Sequence, residues 1–377
     1  MSEARSERKR QDEQWMARAL ELAQSAKRRT SPNPMVGAVV VQNGRAVGEG
    51  CHQGPGHPHA EAEALKQAQG RADGAALYVN LEPCAHEGRT PPCADLLVKR
   101  GVARVVSAIE DPDERVSGRG HARLRAAGIQ VEIGLMAEEA RRLNAPYLKW
   151  KRRGVPFVTL KMAMSLDGKT ATGAGESKWI TSEAARLDGR RLRVSHDAIL
   201  IGVGSALADD PRLTARLPDS GADQDPLRVV ADTHARVPPT ARMFQNRSAK
   251  TIVAVGETTP VSRVRALESA GAEAWRLPLL EGRVCLESLL RRLGGAGALS
   301  VLAEGGSRMH GSLVRSRLAD RVAAYIAPII IGGEGLPAVG DALCARLSDA
   351  LRIREWTAQP IPPDIRIDGY IEEADSG

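Results

Sequence analysis

His59-Ala60-Glu61 opens one stretch of this chain, and Glu82-Pro83-Cys84-Ala85-His86-Glu87-Gly88-Arg89-Thr90-Pro91-Pro92-Cys93 closes it, beyond the strand-like Ala76 to Leu81. One His and two Cys supply the ligands of a tetrahedral zinc site whose fourth corner stays open to water. Such a site lowers the pKa of water toward ~7, and the hydroxide can attack an amidine-like ring carbon. Glu61, two residues past His59, is not counted as a ligand. Beside that water it can take a proton and deliver it to a departing amine. This is the arrangement that zinc-dependent base deaminases need. His59 is expected at the start of a helix and both cysteines near helix starts, where the partial positive charge favours thiolate.

One detail departs from the common deaminase signature, which has two residues between the cysteines. Here Ala85 to Pro92 intervene. Either the loop bulges while both thiolates still meet the metal, or the second ligand is another residue. Pro91-Pro92 suits the first reading, because it stiffens the return to a helix start. His52, His57 and His86 are rival ligands. A fourth protein ligand would close the site and make it a structural scaffold. Glu61 favours a catalytic site. Cys51, Cys285 and Cys344 read as small packing or surface residues.

Outward from this stretch, Asp12 to Ala26 has the periodicity of an amphipathic helix, with Met16, Ala19, Leu20 and Ala23 on one face. Val36 to Val41 followed by Asn43-Gly44 is a hairpin signal. Helices are expected from His59 and over Cys93 to Lys99, strands over Ala76 to Leu81 and Arg104 to Ile109. Helix and strand then alternate to about Lys149, which gives an α/β sandwich with helices on both faces of a central sheet. Lys151-Arg152-Arg153-Gly154 reads as a charged hinge, so the expected domains are 1–153 and 154–377. Beyond it the alternation restarts with strands at Phe157 to Met164, Ala198 to Val203, Leu227 to Ala231, Thr251 to Val255, Leu299 to Ala303 and Arg321 to Ala327. Ser182 to Val194 is a helix, and Gly294-Gly295-Ala296-Gly297 a loop. Asp364 to Ile371 alternates and is expected near a sheet edge.

No Gly-x-Gly-x-x-Gly follows a strand, so a standard dinucleotide fingerprint is absent. Ser300 to Ala303 instead runs into Glu304-Gly305-Gly306-Ser307 and a helix through Arg317. Paired glycines at a strand-to-helix turn let backbone amides approach a phosphate, although an ordinary tight turn has the same sequence.

No apolar run approaches the ~20 residues that span a bilayer. Five cysteines without a paired framework point to a reducing compartment, and the cytoplasm is the expected location. The net charge of +7 invites a nucleic-acid reading. The arginines are dispersed, however, and two Phe with four Tyr cannot build a run of base-stacking platforms. The alternative of an RNA-editing zinc deaminase with an accessory binding domain is disfavoured on that ground and by the long inter-cysteine loop.

Thr30-Ser31-Pro32-Asn33-Pro34-Met35-Val36-Gly37, His59-Ala60-Glu61, the Glu82 to Cys93 segment and Asp111-Pro112 resemble the bifunctional riboflavin-biosynthesis deaminase/reductases. Met164-Ser165-Leu166-Asp167-Gly168-Lys169, Gly175 to Thr181, Leu207 to Pro211 and Ala303 to Gly306 resemble the reductase domain of that family. The likeness runs from about Trp15 to the C-terminus, and the long loop between the cysteines is the family's usual form. It implies a cytidine-deaminase-like three-layer α/β sandwich followed by a dihydrofolate-reductase-like α/β domain. It also implies Zn2+, NADPH, phosphoribosyl pyrimidine substrates and a homo-oligomer, with no nucleic-acid or membrane partner. By position, His59, Cys84 and Cys93 hold zinc, Glu61 shuttles protons and Asn33 meets the pyrimidine or ribose, unless Asn33 is a turn residue between prolines. Ala163, Trp179, Ser205, Asp209, Thr233 and the turn Gly306, Ser307, Arg308, Met309, His310, Gly311, Ser312 face NADPH; Trp179 has the alternative of a packing anchor. Ser177, Arg193, Leu213, Arg216 and Glu304 face the substrate. Lys161, Asp209 and Glu304 are the candidates for the proton of the reduction step.

Overall fold

The computed structural model describes residues 2–86, 91–215, 217, 225–340 and 344–372, without the side chains of 2–5, 27 and 28. The chain divides into two compact units, Met1–Gly154 and Val155–Gly377.

In the first unit the order is α1 (Ser2–Ala26), β1 (Gly37–Gln42), β2 (Arg45–Cys51), α2 (Ala60–Gln67), β3 (Ala76–Val79), α3 (Cys93–Lys99), β4 (Arg104–Ser107), α4 (Arg119–Ala126), β5 (Gln130–Ile133), α5 (Ala137–Leu143) and α6 (Ala145–Arg153). The sheet runs β2-β1-β3-β4-β5. Asn43 and Gly44 both take positive φ, 51° and 72°, which is what a two-residue hairpin turn demands. The period of two along β1 then decides the layers. Gly37 faces α1, where an added Cβ would collide with the carbonyl of Ala19 and come within 2.6 Å of the Ala23 nitrogen. Ala38 and Val40 face the other way, into a core with Ala60, Ala64 and Leu65 of α2. Gly48 and Gly50 of β2 let α2 settle on that face in the same manner. The α1 face is closed by Met16, Ala19, Leu20 and Ala23, all buried as the helical period predicts. Gly37→Ala is therefore expected to lower stability by about 1–3 kcal/mol. An unshifted denaturation midpoint would contradict the close approach of α1 to the sheet.

The second unit contains β6 (Phe157–Ser165), β7 (Lys169–Ala171), α7 (Glu183–Val194), β8 (Ala198–Gly202), α8 (Val203–Asp209), β9 (Leu227–Ala231), α9 (Arg242–Gln245), β10 (Thr251–Gly256), α10 (Val261–Ser269) and β11 (Glu273–Leu277). There follow β12 (Leu279–Leu280), β13 (Arg283–Val284), α11 (Leu286–Gly295), β14 (Ser300–Ala303), α12 (Ser307–Arg315), β15 (Arg321–Ala327), β16 (Leu336–Pro337), β17 (Ile353–Ile361) and β18 (Asp364–Ile371). Nine of these strands form one sheet, ordered β11-β10-β9-β8-β14-β6-β15-β18-β17. From β11 to β15 all neighbours are parallel. Among them β8, β10 and β14 are near-continuous apolar runs because both faces are covered. Leu200, Val229, Ile252 and Ala254 point into one core with α11 and α12. Ile199, Ile201, Val230, Val253 and Val255 point into another with α8, α9 and α10. Each such side chain contributes roughly 1.5–3 kcal/mol by leaving water.

Two local expectations need correction. Lys151, Arg152 and Arg153 are no loop: they form the last turn of α6, and Gly154 closes it with φ 69°. Lys151 is also engaged, donating to Asp113 at 2.8 Å. Gly294 and Gly295 continue α11 rather than starting a loop, since Leu289, Leu290 and Leu293 hold that helix on the core. β18 lies near the sheet edge, as its alternation predicts, one strand in from the edge strand β17. The mostly exposed β17 has too few apolar positions in step to announce a strand.

Candidate active sites

Three elements bring the first site together. His59 caps the start of α2, and Cys93 is the first residue of α3. Cys84 lies in the segment between β3 and α3. It heads no helix of its own, but lies near the start of α3 as expected, its carbonyl accepting the Ala94 N–H at 3.1 Å. Its thiol accepts the Cys93 N–H at 3.3 Å, so the start of α3 serves both cysteines. His59 Nδ1 lies 3.2 Å from Cys93 Sγ and 3.5 Å from Cys84 Sγ. Zinc–sulfur bonds near 2.3 Å and zinc–nitrogen bonds near 2.0–2.1 Å put tetrahedral N and S ligands roughly 3.6 Å apart. The three donor atoms, all within 4.8 Å of one another, therefore fit a zinc ion. Among the described residues they are the one group of His, Cys, Asp or Glu that could hold a metal.

Glu61, on the first turn of α2, is 3 % exposed and hydrogen-bonds the Cys93 thiol. Its carboxylate thus points into the cluster, and burial pushes it up to about 7, where it can both accept and release a proton. The rival ligands do not join. His52 has both ring nitrogens occupied, Nε2 at 3.0 Å from Asn33 Nδ2 and Nδ1 at 3.0 Å from the Pro58 carbonyl. Because the Asn33 amide donates, Nε2 accepts and Nδ1 carries the proton, which leaves a neutral ring. His52 stacks edge-on to His59 at 5.5 Å, so Asn33 stands one side chain away from the cluster. His57 is exposed and His86 half-buried outside the group. Glu87 to Thr90 of the inter-cysteine loop lie outside the described residues.

The second site is a cavity of about 1320 Å³ in the second unit, more than the 300–1,000 Å³ of an ordinary small-ligand pocket and roomy enough for a dinucleotide beside a substrate. It opens at the carboxyl ends of β6, β14, β8 and β9, the crevice where open α/β sheets bind ligands. Lys161 and Ala163 share one face of β6. Glu304-Gly305-Gly306 turn β14 into α12, whose start is a ready anion site. Arg193 of α7 forks onto Glu304, with Nε to Oε1 at 2.6 Å and Nη2 to Oε2 at 2.7 Å. Burial alone would raise the Glu304 carboxyl; the Arg193 charge and hydrogen bonds outweigh it and hold the group at about 2. Burial lowers the Lys161 ammonium from its ordinary value, with Glu304 opposing that shift. Asp209 is half-exposed and pairs with Lys178 at 3.5 Å.

The other expected residues fall as follows. Ala163, Trp179, Ser205, Asp209, Thr233 and Ser177 line the cavity, as do Gly306, Ser307, Arg308, Met309, His310 and Ser312. Trp179 is 70 % exposed, with the Arg186 guanidinium 4.4 Å above its ring, so it is no core anchor. Gly311 does not line the cavity. Its bare Cα lets the Gly340 carbonyl close against α12. The Leu213 side chain is not in the cavity either: it is buried with Ile199 and Val230, where its apolar surface is more stable, and only its backbone remains for a ligand. Arg216 lies outside the described residues. Sequence reading missed Arg186, Arg190 and Arg212, and the β12–β13 hairpin, all of which line the cavity. The helical spacing of Arg186, Arg190 and Arg193 was a signal available for the first two; a two-residue strand pair leaves none.

Comparison with known proteins places these sites in a family. Residues 9–109 match the cytidine and deoxycytidylate deaminase zinc-binding region, and residues 156–366 match the RibD C-terminal domain. The riboflavin biosynthesis protein RibD of Bacillus amyloliquefaciens is 42 % identical over 368 residues, covering 97 % of this chain and 98 % of that protein. That of Escherichia coli (strain K12) is 41 % identical over 368 residues, covering 94 % and 98 %. Among solved structures, Acinetobacter baumannii RibD superimposes with a TM-score of 0.86 at 36 % identity, over 97 % of this chain and all of that one. An RNA-editing deaminase finds no counterpart in these relatives.

Proposed function

We propose, for a chain that belongs to the RibD family of bifunctional riboflavin-biosynthesis deaminase/reductases, a division of labour between residues 1–153 and 154–377. The first segment removes an amino group hydrolytically from 2,5-diamino-6-(5-phosphoribosylamino)pyrimidin-4-one. The second reduces the ribosyl group of the resulting 5-amino-6-(5-phosphoribosylamino)uracil to ribityl with NADPH. The observation that carries the first assignment is a buried carboxylate, Glu61, aimed at a His-Cys-Cys cluster of zinc dimensions.

His59, Cys84 and Cys93 would hold the zinc, which when bound supplies an acidified water at neutral pH. Glu61 Oε takes that water's proton and passes it to the leaving amine, and the carboxylate's burial suits it to both tasks. Asn33 anchors the pyrimidine or the ribose, held in place through His52. In the second site NADPH, when bound, supplies the hydride. Of the three proton candidates, Glu304 is fixed as an anion by Arg193, and Asp209 is committed to Lys178. Lys161 Nζ is left as the group whose proton is loosened by burial, so we assign it the proton that accompanies the hydride. Arg193, Ser177 and Arg216 take the substrate, and Ser205, Thr233 and the turn from Gly306 face the cofactor.

Incubating the enzyme with the pyrimidine ribotide and NADPH, while following ammonia release and loss of NADPH absorbance separately, tests the whole reading. Ammonia should precede oxidation of the cofactor. Cofactor oxidation on the undeaminated ribotide without ammonia would contradict the order. Cys93→Ser should drop bound zinc well below one ion per chain and remove ammonia release, while reduction of the aminouracil continues; a full complement of zinc in that variant would overturn the ligand set.

We also place the enzyme in the cytoplasm as a homo-oligomer. The free cysteines fit a reducing compartment. No helix among the described residues is long and apolar enough to cross a membrane. Trp356 and Ile353 on edge strand β17 expose apolar surface of the kind that self-association covers. Sedimentation at several concentrations checks this, and a monomer throughout would contradict it.

A further inference from the structure

The cofactor residues assigned above lie on adjacent strands, from Ala163 on β6, past the Gly306 turn after β14 and Ser205 after β8, to Thr233 after β9. Substrate recognition is concentrated at the β6 end, where Lys161, Arg193 and Glu304 meet. A dinucleotide with its nicotinamide there and its phosphates on the start of α12 must send its adenosine the other way, toward β9. Three strand spacings, about 14 Å, separate the two ends.

At that far end the wall is the β12–β13 hairpin. It is fastened on both sides. The Val284 N–H donates to Thr233 Oγ1 at 3.1 Å, and Arg315 of α12 donates to Glu281 at 2.9 Å. Arg283 lines the cavity from this hairpin; its backbone pairs with Leu280 across the turn, but its guanidinium has no hydrogen bond or ion pair to any described residue. Arg236, in the turn after β9, also lines it; its backbone N–H donates to Asp232 Oδ2 at 2.5 Å, while its guanidinium has only a loose partner, Asp232 Oδ1 at 3.9 Å. Two guanidinium forks thus stand, one free and one barely engaged, beside the threonine assigned to the adenosine half. The feature that distinguishes NADPH from NADH in this half is a phosphate on the adenosine 2′-oxygen, and arginine matches phosphate oxygens in pairs.

We propose that Arg283, with Arg236 as its companion, holds the 2′-phosphate of NADPH and thereby sets the preference for NADPH over NADH. This rests on the reductase reading, but the test separates the two. The full-length enzyme is titrated with NADPH, NADH and 2′,5′-ADP without substrate, and dissociation constants are read from dinucleotide fluorescence or calorimetry. Arg283→Ala should weaken NADPH and 2′,5′-ADP on the order of ten- to a hundredfold, as loss of a charged hydrogen-bond partner does, and leave NADH unchanged. Arg283→Lys, which keeps the charge without the fork, should fall between. Equal weakening of NADPH and NADH would make Arg283 a mere rim residue and overturn the proposal. So would an unchanged NADPH-to-NADH ratio, or a ratio that shifts in Arg236→Ala but not in Arg283→Ala. If the wild-type enzyme bound neither dinucleotide, the reductase reading itself would fall, and this inference with it.

Discussion

Glu61→Gln should cut ammonia release by roughly 10²–10⁴-fold, the usual worth of a positioned proton shuttle, and leave reduction of the already deaminated substrate untouched. The substitution keeps the size of the side chain and its place on the first turn of α2. It removes only the ability to take up and give back a proton. Because Glu61 is buried against Cys93, no neighbouring described carboxylate shares its position in the cluster, so rescue from the surroundings is not expected. Zinc content should stay at that of the wild type, since Glu61 is not counted among the ligands. Loss of zinc together with deamination would mean that Glu61 supports the metal. Survival of ammonia release would mean that the proton travels by another group.

Lys161→Met is the counterpart in the second unit. It should slow cofactor oxidation on the aminouracil by a comparable ~10²–10⁴-fold and leave ammonia release intact. Methionine retains most of the apolar stem, which packs where a Cβ on Gly189 would come within 3.3 Å of Lys161 Cε. NADPH affinity, measured without substrate, should barely change, because the ammonium faces Glu304 and Arg193 and not the adenosine half. If reduction persisted in Lys161→Met and vanished in Asp209→Asn, the proton would belong to Asp209 and the ranking offered here would be wrong.

Much of this was legible in the sequence because local rules and tertiary demands coincided. The Asn43-Gly44 turn, the buried face of α1 and the double-sided strands β8, β9 and β10 each have a period or turn chemistry that fixes them before any packing is known. The metal cluster was legible for a different reason: His59 and Cys93 sit at helix starts, and helix starts leave marks in sequence. What escaped depends on distant partners. The fork of Arg193 onto Glu304 joins residues far apart in the chain, so the same two side chains read as separate substrate contacts until the fold pairs them. Leu213 carried no mark to separate a backbone role from a side-chain role, and its burial against β8 and β9 decides the matter. Lys151 to Arg153 looked like a hinge because charge and glycine adjoin, yet the apolar Tyr147 and Leu148 one turn earlier hold the helix to its end. The β12–β13 hairpin turns at Glu281-Gly282, both at positive φ, but its strands are only two residues long and it is fastened by the distant Thr233 and Arg315.

X-ray absorption at the zinc edge of the resting, zinc-loaded enzyme tests the central claim most directly. Two sulfur scatterers, one imidazole and one additional light atom from solvent are predicted. A second imidazole or a third sulfur would close the coordination sphere with protein and contradict the account of a hydrolytic deaminase.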